Sequence, residues 1–203
     1  MLVRAIHLVI DVAPEACRID FCFVGHKEWR HMKTTLEVVN QMKADGVIGN
    51  FAIAGAVGAT FYLEPVATLD IDLFVSFQES PGSRLVSISP IYEYLAARGF
   101  KAEREYVVIG GWPVQFLPAG DALAEEALAQ AIETDLEGVQ TRVMTAEHLT
   151  AIALQTGRAK DTARVLQFVQ SGVLDPVKLD AILKRHGLIA KWEKFVDRFK
   201  EEL

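Results

Sequence analysis

Nine residues at positions 67–75, ATLDIDLFV, constrain this chain more than any others, because Asp70 and Asp72 interrupt an apolar run. Ile71, Leu73, Phe74 and Val75 ask for a buried strand, where a carboxylate without a partner is expensive. Residues two apart in a strand share a face, so the aspartates stand side by side while Ile71 turns to the core. Two carboxylates that close repel, and each raises the other's affinity for a proton. Either the pair is solvated at a strand end or edge, or a divalent cation removes the conflict. Mg²⁺ is held by one or two carboxylates together with substrate phosphates and water. The second arrangement therefore suits metal-assisted phosphoryl or nucleotidyl transfer.

The residues before the pair narrow the choice. NFAIAG (50–55) reads as a short strand ending at Gly55, and AVGATFYL (56–63) as a helix stopped by Pro65. A strand-to-helix turn built from Gly55, Ala56, Gly58 and Ala59 can bring backbone N–H groups to a phosphate, although tight packing alone also selects such residues. Strand, small-residue turn, helix, then strand with Asp-x-Asp is more specific than any of its parts.

The rest of the chain supplies a mixed frame. MKTTLEVVNQMKADG (32–46) carries Leu36, Val39 and Met42 at helical spacing, with Thr34 or Thr35 as the expected cap. SFQESPGSR is a loop, and Ser89 with Pro90 opens a helix over SPIYEYLAARG. FKAEREYVVIGGWPVQFLP reads as two strands joined by a Gly110–Gly111 hairpin turn. Asp121 caps a helix over DALAEEALAQAI, GVQTRVM is one further strand, and Thr145 caps AEHLTAIALQTG. A helix-rich tail follows, with breaks near Gly172 and Gly187. The expected fold is α/β (α+β), a small mixed sheet with flanking helices and a helical C-terminal portion. The expected division is an N-terminal extension (1–31), an α/β domain (32–143) and a helical region (144–203). Met32 is a candidate native start.

Bulk properties exclude several alternatives. With 203 residues, 51% apolar and 24% charged, the chain reads as one large or two small globular domains. The net charge of −6 is uneven: residues 158–203 hold 10 Lys and Arg against 7 Asp and Glu, so the acidity lies in the body. That balance argues against duplex DNA as a partner. Cys17 and Cys22, with His7, His26 and His31 nearby, lack zinc-ligand spacing and read as free thiols in a reducing compartment. No run approaches membrane-spanning length, and Arg4, His7 and Asp11 spoil a signal-peptide core, so a cytoplasmic location is expected.

AGAVGATFYLEPVATLDIDLFV resembles the signature of the nucleotidyltransferase superfamily related to DNA polymerase β. Within it, the chain looks like the small bacterial nucleotidyltransferase-like proteins of the AbiEii abortive-infection toxin type. Gly55 matches the first glycine of that signature, Thr68 the threonine before the pair, and Asp70 and Asp72 the metal ligands. EHLTAIALQTGRAKD is similar to the family's helix ending in Gly-Arg-x-Lys-Asp, matched by Gly157, Arg158, Lys160 and Asp161. The resemblance implies Mg²⁺ or Mn²⁺ at Asp70 and Asp72, an NTP at the Gly55 turn, and an RNA or protein acceptor. It also implies a homo-oligomer or antitoxin as partner. Lys160 or Arg158 would offset phosphate charge, with Asp161 orienting one of them.

The departures from the family are specific. Ala56 stands where Gly or Ser is usual, Val66 where an arginine is common, and Arg164 where an acidic residue often follows Lys-Asp. Gln115 occupies the place of a third carboxylate, with Glu103 and Glu105 as nearby substitutes. A catalytically silent relative that binds a nucleotide or partner is the competing expectation. His148 and His186 are isolated on helices, Trp112 reads as a packed aromatic, and Trp192, Phe195, Val196 and Phe199 form a docking stripe.

Overall fold

The computed structural model describes residues 26–64, 68, 70–77 and 87–203, with side chains from Met32 onward. Both cysteines, Pro65, Val66 and most of the SFQESPGSR loop lie outside the described residues.

The chain runs α1 (His26–Ala44), β1 (Phe51–Ile53), α2 (Gly55–Ala59), β2 (Ile71–Val75) and α3 (Ser89–Ala97). Then come β3 (Ala102–Glu103), β4 (Tyr106–Ile109), β5 (Trp112–Pro118), α4 (Ala122–Ala129), β6 (Ile132–Leu136) and β7 (Val139–Val143). Four helices close the described chain: α5 (Ala146–Thr156), α6 (Ala159–Ser171), α7 (Pro176–Arg185) and α8 (Ile189–Arg198).

The strands form one mixed sheet in the order β3-β4-β5-β2-β1-β7-β6. β2 pairs antiparallel with β1 and parallel with β5, and β1 pairs parallel with β7. Alternation along β2 sorts the two faces. Ile71, Leu73 and Val75 are buried among Leu36, Val39 and Met42 of α1 and Ile91 and Leu95 of α3. Asp72 and Phe74 look the other way, toward α2, α4, α5 and α6, where Ala52, Ala59, Leu128, Leu149 and Phe168 form a second core. A third core joins α4 to the tail through Leu123, Leu154, Val165, Leu183 and Phe195. The aromatic stripe of α8 closes onto this tail core, with Trp192 stacked on Phe195 at 5.6 Å.

Several local readings change. α1 begins at His26, so neither Thr34 nor Thr35 caps it. Thr35 is fully buried inside the helix, where its hydroxyl donates to the Ile109 carbonyl of β4 at 2.8 Å. The helix after Gly55 is a single short turn ending at Thr60, not an element running to Leu63. The strand read over 67–75 narrows to Ile71–Val75, leaving Asp70 one residue before it. The helix expected over DALAEEALAQAI ends at Ala129, and IETDL, to which the sequence reading assigns no element, is strand β6 in antiparallel register with β7. The Gly110–Gly111 turn joins β4 to β5, both glycines at positive φ as a two-residue hairpin requires. Asp121 and Thr145 cap α4 and α5 through their side-chain oxygens.

Candidate active site

The ends of β1 and β2 place the aspartate pair. Ala54 follows β1 and donates its N–H to the Asp72 carbonyl at 2.9 Å, drawing the turn after β1 against β2. Gly55 comes next at φ +60°, a left-handed conformation that L side chains adopt at a cost of roughly 1–2 kcal/mol. A Cβ at Gly55 would overlap Asp72 Oδ2 and lie 2.7 Å from its Cγ. Glycine is therefore required twice, by the backbone and by the carboxylate seated over it. Ala56 and Gly58 continue the short α2 turn, where a Cβ on Gly58 would meet the Ile53 carbonyl at 3.0 Å.

Asp70 is held from the side. The Thr68 hydroxyl donates to Asp70 Oδ1, at 3.2 Å, and stands equally far from its carbonyl. The Tyr106 hydroxyl lies within electrostatic reach of the Asp70 carboxylate. Burial first, then the charges of Asp70 and Glu105, push the Tyr106 hydroxyl above its ordinary pKa. Asp72 is likewise raised, first by burial and then by Asp70, while Lys160, Arg164 and Arg158 pull it back down. The two aspartates thus stand close enough to repel, and α6 supplies the opposing charge.

On α6, Lys160 and Arg164 stand one turn apart. Arg158 is bound differently: its Nε and Nη2 donate to Asp161 at 2.6 and 3.2 Å. Asp161, 2% exposed, also accepts the Arg158 backbone N–H at 3.3 Å, closing the first turn of the helix. Asp161 therefore orients Arg158 and leaves Lys160 and Arg164 facing the aspartates.

Gln115 is the direct β5 partner of Asp72, so the two side chains lie abreast on one face. Glu103, at the end of β3, and Glu105, on the turn to β4, are exposed, and neither is among the charges that shift Asp72. Trp112 is half-buried and packs against the first core. His148 and His186 both point at Glu126 of α4, at 3.4 and 2.8 Å, well away in role from the aspartates. A cavity of about 480 Å³ lies by that cluster, lined by Tyr62, Thr145, His148, Lys178, Ile182 and Arg185, and none of the aspartate-site residues borders it.

Sequence reading missed Tyr106. The signal was present: a two-residue turn at Gly110–Gly111 pairs Ile109 with Trp112 and Val107 with Val114, so Tyr106 falls across from Gln115.

The fold is that of nucleotidyltransferase-like proteins. No family model matches the sequence, and no curated protein matches it. Among solved structures, an antigenic nucleotidyltransferase-like protein from Paracoccidioides brasiliensis superposes with a TM-score of 0.59 at 12% identity, covering 85% of this chain and 92% of that one. ANT(2″)-Ia in complex with adenylyl-2″-tobramycin gives 0.46 at 16% identity, covering 78% and 99%. A solution structure of ANT(2″)-Ia gives the same score and identity over 84% and 98%. Among the described residues, no helix is long and apolar enough to cross a membrane.

Proposed function

We propose that the chain transfers a nucleotidyl group from an NTP to a hydroxyl acceptor, with RNA or a protein as the acceptor class. One observation carries the reading. Asp72 is seated over a glycine that tolerates no side chain, beside Asp70, and cations approach from α6. A carboxylate pair kept in mutual repulsion is a poor structural device and a good cation ligand set.

The donor set fits a divalent ion, Mg²⁺ or Mn²⁺, held by Asp70 and Asp72. Bound there, it would polarise phosphate oxygens and offset developing charge. The chain's own residues do the positioning. Thr68 fixes Asp70, Gly55 admits the Asp72 carboxylate against the turn, and Lys160 and Arg164 would face the polyphosphate. The acceptor oxygen bonds to the α-phosphorus, the bond to the β-bridging oxygen breaks, pyrophosphate leaves, and the hydroxyl proton passes to water.

The same reading takes residues 32–143 as the catalytic domain, 144–203 as the helical region that brings α6 to it, and 1–31 as an extension. Incubation with α-labelled NTPs, Mg²⁺ and total RNA or protein tests it. Label on one acceptor, absent in Asp72→Asn, is expected; no transfer from any NTP, with or without Mn²⁺, overturns it.

Gln115 beside Asp72 favours a second reading, a silent relative that binds a nucleotide or an antitoxin-like partner. Mg²⁺-dependent thermal stabilisation by an NTP without any transfer would select it.

A further inference from the structure

We infer that this site takes a single divalent cation, and that Lys160 and Arg164 provide the positive charge that a second ion would bring. The inference rests on the nucleotide-binding reading above and concerns how that site balances charge.

Two-ion phosphoryl-transfer sites hold their cations about 3.5–4 Å apart, so carboxylates must both bind and offset them. This site has two. Asp70 immediately precedes β2 and is close enough to act on the charge of Asp72, and the residue abreast of Asp72 on the adjoining strand is Gln115, a neutral amide. Among the described residues, no group of three or more His, Cys, Asp or Glu side chains could gather around an ion. One dication neutralises the two aspartates; a second would stand beside an amide, and among the described residues no carboxylate other than Asp70 acts on Asp72.

The opposite wall points the same way. Lys160 and Arg164 lie one turn apart on α6, and both act electrostatically on Asp72. Arg158, the neighbouring cation, is consumed by Asp161. A second dication close to Asp72 would be repelled by both free side chains. A nucleoside triphosphate carrying one dication keeps net negative charge, and two fixed cations suit it. Arg164 adds a planar donor fork that can grip a phosphate through two hydrogen bonds.

Mn²⁺ binding measured by electron paramagnetic resonance, with each non-hydrolysable NTP analogue in turn, tests the count directly. One tightly bound Mn²⁺ per chain in the nucleotide complex is expected, and two overturn the inference while leaving the nucleotide reading intact. Gln115→Asp should bind a second Mn²⁺ more readily when combined with Arg164→Ala than alone; an equal second affinity in both rejects the role given to Arg164. Arg164→Ala by itself, on a solvent-accessible helix face, should weaken analogue binding by about tenfold to a hundredfold and leave Mn²⁺ binding without nucleotide unchanged or tighter. Unchanged analogue affinity rejects the phosphate role. Failure of every analogue to bind, with Mn²⁺ alone still bound, instead removes the nucleotide reading on which the inference stands.

Discussion

Two carboxylate sites in this molecule are built on opposite terms. Glu126 on α4 is saturated: Arg185 donates to it at 2.9 and 2.6 Å, His186 at 2.8 Å, and His148 at 3.4 Å. Its pKa falls to about 2, chiefly through the Arg185 hydrogen bonds. Asp72 is instead raised, by burial and by Asp70, with its cations acting only across space. The first carboxylate ties α4 to α5 and α7. The second keeps its oxygens for something else. A satisfied anion is structure, and an anion held in conflict is capacity to bind.

Neutralising Asp72 should separate the two roles most sharply. Asp72→Asn removes a repulsion, so the variant should melt higher than the parent at neutral pH while transfer falls on the order of a thousandfold. A lower melting temperature would place Asp72 with Glu126 as a structural group. Gly55→Ala attacks the same site through the backbone. It forces a Cβ into the Asp72 carboxylate at positive φ, and a loss of about 2 kcal/mol in chemical denaturation should accompany loss of Mn²⁺ binding.

The aspartate site was legible because its parts are local. Asp-x-Asp in a strand, a glycine before a helix and a capped tail helix each carry a short-range signal, and their combination led to the fold. Thr145 and Asp121 were readable as caps for the same reason. What the sequence hid is long-range. Thr35 looked like a cap because its partner, the Ile109 carbonyl, is 74 residues away. β6 was missed because IETDL is an exposed edge strand, without the apolar alternation that marks a buried one. The Glu126 cluster draws its four members from three helices, and no spacing in the chain announces it. Gln115 was noticed as a departure, but only the β2–β5 register shows that it lies against Asp72.

The saturated site gives the next largest effect, now on stability. Glu126→Gln leaves Arg185 and His186 facing an amide. The depressed pKa corresponds to about 3 kcal/mol, reduced to about 2 because Arg185 is half in water. Urea denaturation should show that loss, with Mn²⁺ binding at the aspartates intact. The pH dependence follows in sign. His148 is held below its ordinary 6.5, first by burial, so its contribution is full above about 6.5 and declines as acid charges the unfolded ring. Glu126 contributes fully above its unfolded value of 4.5 and loses that contribution as pH falls toward about 2. Asp72 runs the other way, since a raised carboxyl favours the fold most when protonated. Acid unfolding of the parent should therefore have two descending steps, below pH 6.5 and below pH 4.5. Glu126→Gln should lose the second, and Asp72→Asn should keep both.

The smallest effect tests the residue that stands between the two regimes. Arg158 is 60% exposed, yet its guanidinium makes two bonds to a carboxylate that is almost wholly buried. Arg158→Lys keeps the charge and breaks the fork, so stability should fall by about 0.5–1 kcal/mol. If Arg158 belongs with Glu126, as its pairing with Asp161 indicates, the KM for NTP should stay within about twofold, since the long-range charge acting on Asp72 is retained. A KM rise near that of Arg164→Ala would show that the guanidinium leaves Asp161 for the phosphates once nucleotide is bound. The buried Asp161 would then be a second anion held in reserve, and the line between the saturated and the available carboxylate would fall inside α6 itself.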